Sequence, residues 1–262
     1  MKNKKRFNQI LENIKSIKIQ GASNIAKAGL SAYGLFPTKY SKNKILSMRP
    51  TEPMLEKVLN LAEKKSEKEI LQHFKETQEK INRQVLKIIK NSDVIFTHCH
   101  STNVIQSLIY AKKKGKNFLV YNTETRPLYQ GRKTAKELSK AKIKVTHFTD
   151  NALGEALDKV DKIFLGADAL TKKGIINKIG SELIARIAGQ NKIPLYIIAD
   201  SWKFTKKSVS IEQRSLNEVW NQAPKLVKIK NPAFEFVPKK YITKIITELG
   251  VLSYENFLKK VN

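Results

Sequence analysis

One cysteine, Cys99, stands in a chain of 262 residues, so no internal disulfide framework can staple the fold. Acidic residues are scarce: 23 Asp and Glu face 50 Lys and Arg, a formal charge of +27. No apolar run approaches the ~20 residues that a membrane span needs. The opening Met1-Lys2-Asn3-Lys4-Lys5-Arg6 is not followed by the apolar stretch of a signal peptide. These absences argue against a disulfide scaffold and a membrane protein, and they make the cytoplasm the expected location. No Gly-rich dinucleotide fingerprint follows a strand-like run and no Walker-type loop is present, which disfavours nicotinamide and P-loop enzymes. There is no internal repeat and no low-complexity linker.

A charge of +27 would attract nucleic acid, anionic lipid or phosphorylated metabolites. The lysines, however, are spread over nearly every amphipathic segment, without a nucleic-acid motif or interleaved aromatics. General lysine enrichment is the simpler account, and nucleic acid is not an expected partner.

The 41% hydrophobic content supplies an ordinary core, and the length suits one large domain or two small ones. Phe7, Ile10, Leu11, Ile14 and Ile17 recur at helical spacing, predicting a helix over 4–18. Gln20-Gly21-Ala22-Ser23 interrupts it, and a second helix is expected over 24–35. A small-residue break of this kind lets a ligand approach the backbone, although it also serves as a mere turn. Pro37 ends the second helix, and Met48-Arg49-Pro50-Thr51 is a punctuated loop. A short helix over 53–64 and a long one over 66–90, its face marked by Ile70, Phe74, Ile81, Val85 and Ile88, complete an all-helical domain at 1–92.

The pattern changes at Asp93. Short β-prone runs at 94–97, 118–122, 144–148, 162–166 and 195–199 alternate with helical patterns at 102–114, 132–141, 153–157 and 181–191. This alternation predicts an α/β domain at 93–262 with a doubly wound parallel sheet. A sixth strand is expected at 225–230. A final helix is expected over 238–249, with Pro238 at its start and Gly250 at its end.

Four features follow predicted strands: His98-Cys99-His100-Ser101; Thr123-Glu124-Thr125-Arg126-Pro127 with Gln130-Gly131-Arg132; Gly166-Ala167-Asp168, followed by Asn177-Lys178-Ile179-Gly180; and Asp200-Ser201-Trp202-Lys203-Phe204. A parallel sheet places all of them on one edge. A single crevice would then gather a thiol, a carboxylate and the cations Arg126, Lys178 and Lys203, a set suited to proton transfer on a phosphorylated substrate. A thiol at a helix start would have its thiolate stabilised by the N–H donors there. Each residue also has a plainer reading: Cys99 as a small buried side chain, Asp168 as a turn cap, the cations as surface lysines. Cysteine between two histidines suggests zinc, but neighbours on an extended segment point to opposite sides, and only His73 and His147 remain elsewhere. No metal is expected.

Taken together, Thr97-His98-Cys99-His100-Ser101, Thr123-Glu124-Thr125-Arg126-Pro127, Gln130-Gly131, Gly166-Ala167-Asp168 and Asn177-Lys178-Ile179-Gly180 resemble one superfamily. It comprises ribose-1,5-bisphosphate isomerases, methylthioribose-1-phosphate isomerases and the regulatory subunits of translation initiation factor 2B. Asn231-Pro232-Ala233-Phe234-Glu235 and Ile246-Thr247-Glu248-Leu249-Gly250 extend the likeness, which covers essentially the whole chain and is strongest from Asp93 on. The resemblance implies a helical domain on a Rossmann-like domain, assembly as homodimers or homohexamers, and an aldose-ketose isomerisation of a phosphorylated pentose without a cofactor. It implies Cys99 and Asp168 as the catalytic pair, moving a proton from C2 to C1 through an enediolate. It also implies Gln20, Gly21, Ala22 and Ser23 as a phosphate-binding turn and Arg49 as a basic contact. Ser101 and Thr102 would be helix N-terminal donors, Asn177 and Lys178 would orient hydroxyls and phosphate, and Lys203 would reach the second phosphate.

Within the superfamily, Ala169 stands where methylthioribose-1-phosphate isomerases usually carry Arg, and translation-factor subunits typically do not keep both Cys and Asp. The ribose-1,5-bisphosphate isomerase branch, acting in AMP and nucleoside breakdown, therefore fits best. A non-catalytic subunit that binds phosphosugar or nucleotide is the alternative, and a methylthioribose-1-phosphate isomerase the next. One departure bears on turnover. Gln20 stands where the isomerases usually have Arg, and losing a charge-assisted phosphate contact of ~1–2 kcal/mol weakens binding about tenfold, unless a lysine such as Lys27 substitutes.

Overall fold

The computed structural model describes residues 2–50 and 52–261; Thr51, the end of the loop expected at 48–51, lies outside the described residues. Five helices come first: α1 (Lys2–Lys15), α2 (Ala22–Leu35), α3 (Lys39–Met48), α4 (Pro53–Leu61) and α5 (Glu67–Ile88). Their starts follow the sequence chemistry. Ser66 and Glu69 form a reciprocal capping box at α5, and Thr38 and Ser41 form one at α3, a helix the apolar spacing does not announce. Phe7, Leu11, Ile14, Ile25, Ile45, Leu55 and Leu59 pack α1 to α4 together.

The remainder alternates as expected. It comprises β1 (Val94–Thr97), α6 (Thr102–Lys113), β2 (Leu119–Thr123), α7 (Gln130–Lys140), β3 (Lys144–Phe148), α8 (Leu153–Asp158), β4 (Lys162–Leu165), β5 (Ala169–Leu170) and β6 (Gly174–Lys178). After these come α9 (Ser181–Gln190), β7 (Leu195–Ile198), β8 (Phe234–Pro238), β9 (Lys244–Thr247), β10 (Gly250–Leu252) and α10 (Tyr254–Val261). Among the described residues the main sheet has seven strands in the order β10-β9-β7-β4-β1-β2-β3. From β3 to β9 all pairings are parallel, in the doubly wound dinucleotide-fold order, and β10 adds an antiparallel edge.

Strand alternation divides the core in two. Phe96, Ile163, Leu165, Ile197 and Ile245 face α8, α9 and α10. Ile95, Val120, Phe164, Ile198 and Ile246 face α6 and the C-terminal part of α5, whose Ile81 and Val85 join them. Strands buried on both faces explain the continuous apolar runs. No described helix is long and apolar enough to cross a membrane.

Two expectations are corrected. Residues 238–249 are not a helix: Pro238 ends β8, and Ile245 and Ile246, both fully buried, face opposite sides of the sheet in β9. Pro238 and Gly250, taken for helix punctuation, bound strands. The strand expected at 225–230 does not form; the segment is irregular there and leaves Leu226 98% exposed. A further three-stranded antiparallel sheet, β5-β6-β8, lies beyond the expected edge and pairs Asn177 with Glu235 and Lys178 with Phe234.

At the N-terminal ends of β1 and β4, Lys162 and Asp93 form a buried ion pair. Lys162 Nζ also donates to the Ile88 carbonyl at 3.2 Å, and Asp93 accepts the Lys90 N–H at 2.6 Å. Each charge offsets the desolvation of the other. Lys162→Met should therefore destabilise the protein by ~3–5 kcal/mol in urea unfolding, and adding Asp93→Asn should restore much of the loss.

Candidate active site

One cavity opens at the C-terminal ends of β1, β4 and β7, covered by the start of α2 and the loop between α3 and α4. It is lined by Cys99, Ser101, Thr102, Asp168, Asn177, Lys178 and Lys203 from the α/β part, and by Gln20, Gly21, Ala22, Ser23 and Arg49 from the helices. All the residues expected at the site except Arg126 thus meet.

The chain turns sharply at Cys99, whose φ of 63° is left-handed. Such backbone is rare outside glycine and costs ~1–3 kcal/mol, so its surroundings must hold it. Two threonines do so. The Cys99 N–H donates to Thr125 Oγ1 at 3.0 Å, and Thr134 Oγ1 donates to the Cys99 carbonyl at 2.7 Å. His98 fixes the loop from the other side, with Nδ1 2.8 Å from Thr123 Oγ1 and Nε2 2.8 Å from the Ile179 carbonyl. A carbonyl only accepts, so Nε2 carries the proton, and burial lowers the imidazole pKa and keeps it neutral. His100 Nε2 lies 3.2 Å from Glu137 Oε1. His98 thus orients the loop, His100 Nε2 makes no hydrogen bond with Glu137, and no group of three or more His, Cys, Asp or Glu able to hold a metal occurs among the described residues.

Asp168 is placed by its N–H, which donates to the Ile176 carbonyl at 2.9 Å. Lys203, buried in a 3₁₀ turn that Asp200 caps by accepting the Trp202 N–H at 2.8 Å, donates to the Ala167 carbonyl at 2.6 Å. Asn177 Nδ2 donates to Ser181 Oγ at 2.8 Å. Neither α2 nor α6 has a side-chain cap, which leaves first-turn N–H groups facing the cavity. Gly21, at φ 85°, makes the α2 entry possible.

Burial dominates the electrostatics. It pushes the Cys99 thiol up to about 11, against the pull of Lys178. It raises the Asp168 carboxyl above the usual range, against Lys203, Arg49, Lys178 and Arg214. It lowers Lys178, partly offset by Cys99. The free site therefore favours a thiol and tends to keep a proton on Asp168.

Gly166 is required by contact: a Cβ there would overlap the Ser101 side chain. Gly166→Ala should displace Ser101 from the α6 N-terminus and weaken binding of a phosphorylated ligand by about tenfold, as read by calorimetry with inorganic phosphate and sugar phosphates.

Arg126 is the correction. It is exposed, its guanidinium lies on the Tyr129 hydroxyl at 2.5 Å and the Val219 carbonyl at 3.4 Å, and it does not line the cavity. Its backbone N–H, with that of Thr125, instead binds Asp150. Lys27 is also directed elsewhere, its Nζ 4.9 Å from the Phe74 ring centroid. Glu52 and Arg214 line the cavity unannounced. The charge enclosed by Pro50 and Pro53 was a signal available for Glu52; Arg214 lies in an irregular stretch that gave none. Glu52 is only 3% exposed, its Oε1 is 3.3 Å from Arg49, and burial with Asp168 nearby pushes it up to about 8.

Fold and cavity define a doubly wound α/β protein with a cation-lined site at the sheet edge. The chain belongs to the initiation factor 2 subunit family, whose model matches residues 38–254. It is 35% identical to the ribose 1,5-bisphosphate isomerase of Methanocaldococcus jannaschii, over 92% of this chain and 89% of that one. It is 31% identical to a putative translation initiation factor eIF-2B subunit 2-like protein of Pyrococcus furiosus, over 93% and 95%. Among solved structures, the translation initiation factor eIF-2B of Pyrococcus horikoshii OT3 superposes with a TM-score of 0.84 at 29% identity, covering 95% of this chain and 97% of that one.

Proposed function

We propose that the protein is an aldose-ketose isomerase converting ribose 1,5-bisphosphate to ribulose 1,5-bisphosphate. The observation that carries this reading is the meeting of Cys99 and Asp168 with two uncapped helix N-termini and buried cations in one cavity. Its likeness to isomerases such as that of M. jannaschii supports the substrate class.

The chemistry follows from the two groups. Asp168, protonated, gives a proton to the ring oxygen as the sugar opens. Cys99, as thiolate, takes the C2 proton, forming the enediol-type intermediate, and returns it at C1. Asp168, now ionised, accepts the C2 hydroxyl proton and the ketone results. Protons balance over the cycle. The α2 turn at Gln20–Ser23 with Arg49, and the α6 start at Ser101 and Thr102, take phosphate oxygens. Asn177 and Lys178 orient hydroxyls and phosphate, and Lys203 reaches the second phosphate. We take residues 1–92 as the unit that carries Gln20–Ser23 and Arg49 to the site, in a homo-oligomer acting in the cytoplasm in AMP and nucleoside breakdown. Ala169, fully buried in β5 and paired with Ile176, stands where methylthioribose-1-phosphate isomerases usually carry Arg.

The test is conversion of α-ribose 1,5-bisphosphate by the wild-type protein, followed as ribulose 1,5-bisphosphate formed. Absence of turnover at millimolar substrate would favour the second reading, a non-catalytic subunit that binds phosphosugar or nucleotide. Gln20 and the P. furiosus relative support that second reading.

A further inference from the structure

We infer that Arg214 is a specificity-determining residue of this cavity, taking one phosphate of the substrate and so selecting a doubly phosphorylated sugar. The inference rests on the isomerase reading for the sugar, and on the geometry of the cavity for the residue.

Arg214 lies in the irregular stretch between Lys203 and β8, yet its backbone is tied down. Its N–H donates to the Asn231 carbonyl at 2.9 Å, and Asn231 Nδ2 donates to the Ser215 carbonyl at 2.8 Å. The side chain, 9% exposed, lines the cavity. Its Nε comes within 3.1 Å of Glu212 Oε1 without the angle of a hydrogen bond, and neither Nε nor Nη1 has a hydrogen-bond partner. A buried guanidinium with unused donors is costly, and a dianionic phosphate supplies the missing acceptors.

Local charge points the same way. Glu212 is divided between two cations, with Oε2 3.3 Å from Arg49 Nη2. Glu52, on Arg49's other side, is pushed up to about 8 and so tends to keep its proton at neutral pH. The ion-pair contacts of the two guanidiniums are thus to Glu212 and Glu52, with Glu218 adding to the field at Arg214. The field of Arg214 reaches both Lys178 and Asp168, lowering each. Gln20 is neutral and Lys27 is turned toward Phe74, so the α2 turn brings no cation to the cavity, whereas Arg214 does.

The test is calorimetry on the full chain with ribulose 1,5-bisphosphate, ribulose 1-phosphate and ribulose 5-phosphate, using wild type, Arg214→Met and Arg214→Lys. Arg214→Met should weaken the bisphosphate and one monophosphate by about tenfold or more while sparing the other, and Arg214→Lys should recover part of the loss. In turnover the KM for ribose 1,5-bisphosphate should rise by the same factor, with kcat changing less. A purely structural role would lower Tm and leave the three affinities in their wild-type ratio, overturning the inference. Unchanged affinity in Arg214→Met with active wild type refutes Arg214 and leaves the isomerase reading standing. Arg214-dependent binding without turnover does the reverse, and wild type that binds no bisphosphate refutes both.

Discussion

Cys99→Ser should lower kcat on ribose 1,5-bisphosphate by about a thousandfold, within the range that loss of a positioned general base produces, while leaving affinity for ribulose 1,5-bisphosphate close to wild type. Serine fills nearly the same space and keeps both threonine contacts to the backbone at residue 99, since these use the N–H and the carbonyl. Its hydroxyl, however, ionises far less readily than a thiol. Rapid-quench turnover with calorimetry of product binding separates the outcomes. A variant that binds normally and turns over within tenfold of wild type would remove Cys99 from the reaction.

The pH dependence tests the same assignment from another side. The competent state needs Cys99 ionised and Asp168 protonated; burial raises both groups, the thiol to about 11, and a carboxyl is ordinarily the stronger acid of the two, so the profile follows that order. Below the Asp168 pKa, log(kcat/KM) should rise with a slope near one, because only the thiolate fraction is growing. Between the two values the gain in thiolate cancels the loss of acid and the profile is flat. Above about 11 it falls. The rising limb thus reports the carboxyl and the falling limb the thiol, the reverse of the usual order, and only a small share of the free enzyme is competent at any pH.

How much of this was legible in the sequence differs by element. β1, β4 and β7 announced themselves because strands buried on both faces are short apolar runs between turn residues. β9 did not, because Ile242, Ile245, Ile246 and Leu249 also fit a helical face, and only tertiary burial on both sides of the sheet decides for the strand. Cys99, Asp168 and Lys203 were legible because a parallel sheet brings every strand end to one edge. Lys178 was named for the right cavity through the wrong geometry, since it enters from β6 of the smaller sheet. Arg126 carried the right chemistry and the wrong direction: its guanidinium lies on Tyr129, and no local pattern encodes that. Arg214 and Glu52 acquire meaning only through burial beside other charges, which one-dimensional spacing does not contain.

Asp168→Asn should be the companion loss, about a thousandfold in kcat, and it should make the protein more stable at neutral and alkaline pH. An amide can still donate a hydrogen bond but cannot pass a proton, so binding persists while turnover fails. The break in the pH profile assigned to Asp168 should vanish, and residual activity should rise without an intermediate plateau until it levels off at the thiol value near 11. The stability sign follows from linkage. Burial raises the folded carboxyl above its unfolded value near 3.8, so the folded chain binds more protons. Wild type therefore loses stability as pH rises from the unfolded pKa to the folded one, and above that the penalty is constant. The amide of the variant, neutral at every pH, escapes that penalty. The Tm of the variant should exceed that of wild type at pH 8, and the gap should close as pH falls toward 3.8. A variant less stable than wild type at pH 8 would mean that Asp168 is held as a carboxylate by Lys203, Arg49 and Lys178, and the role of general acid would then have to pass to another group.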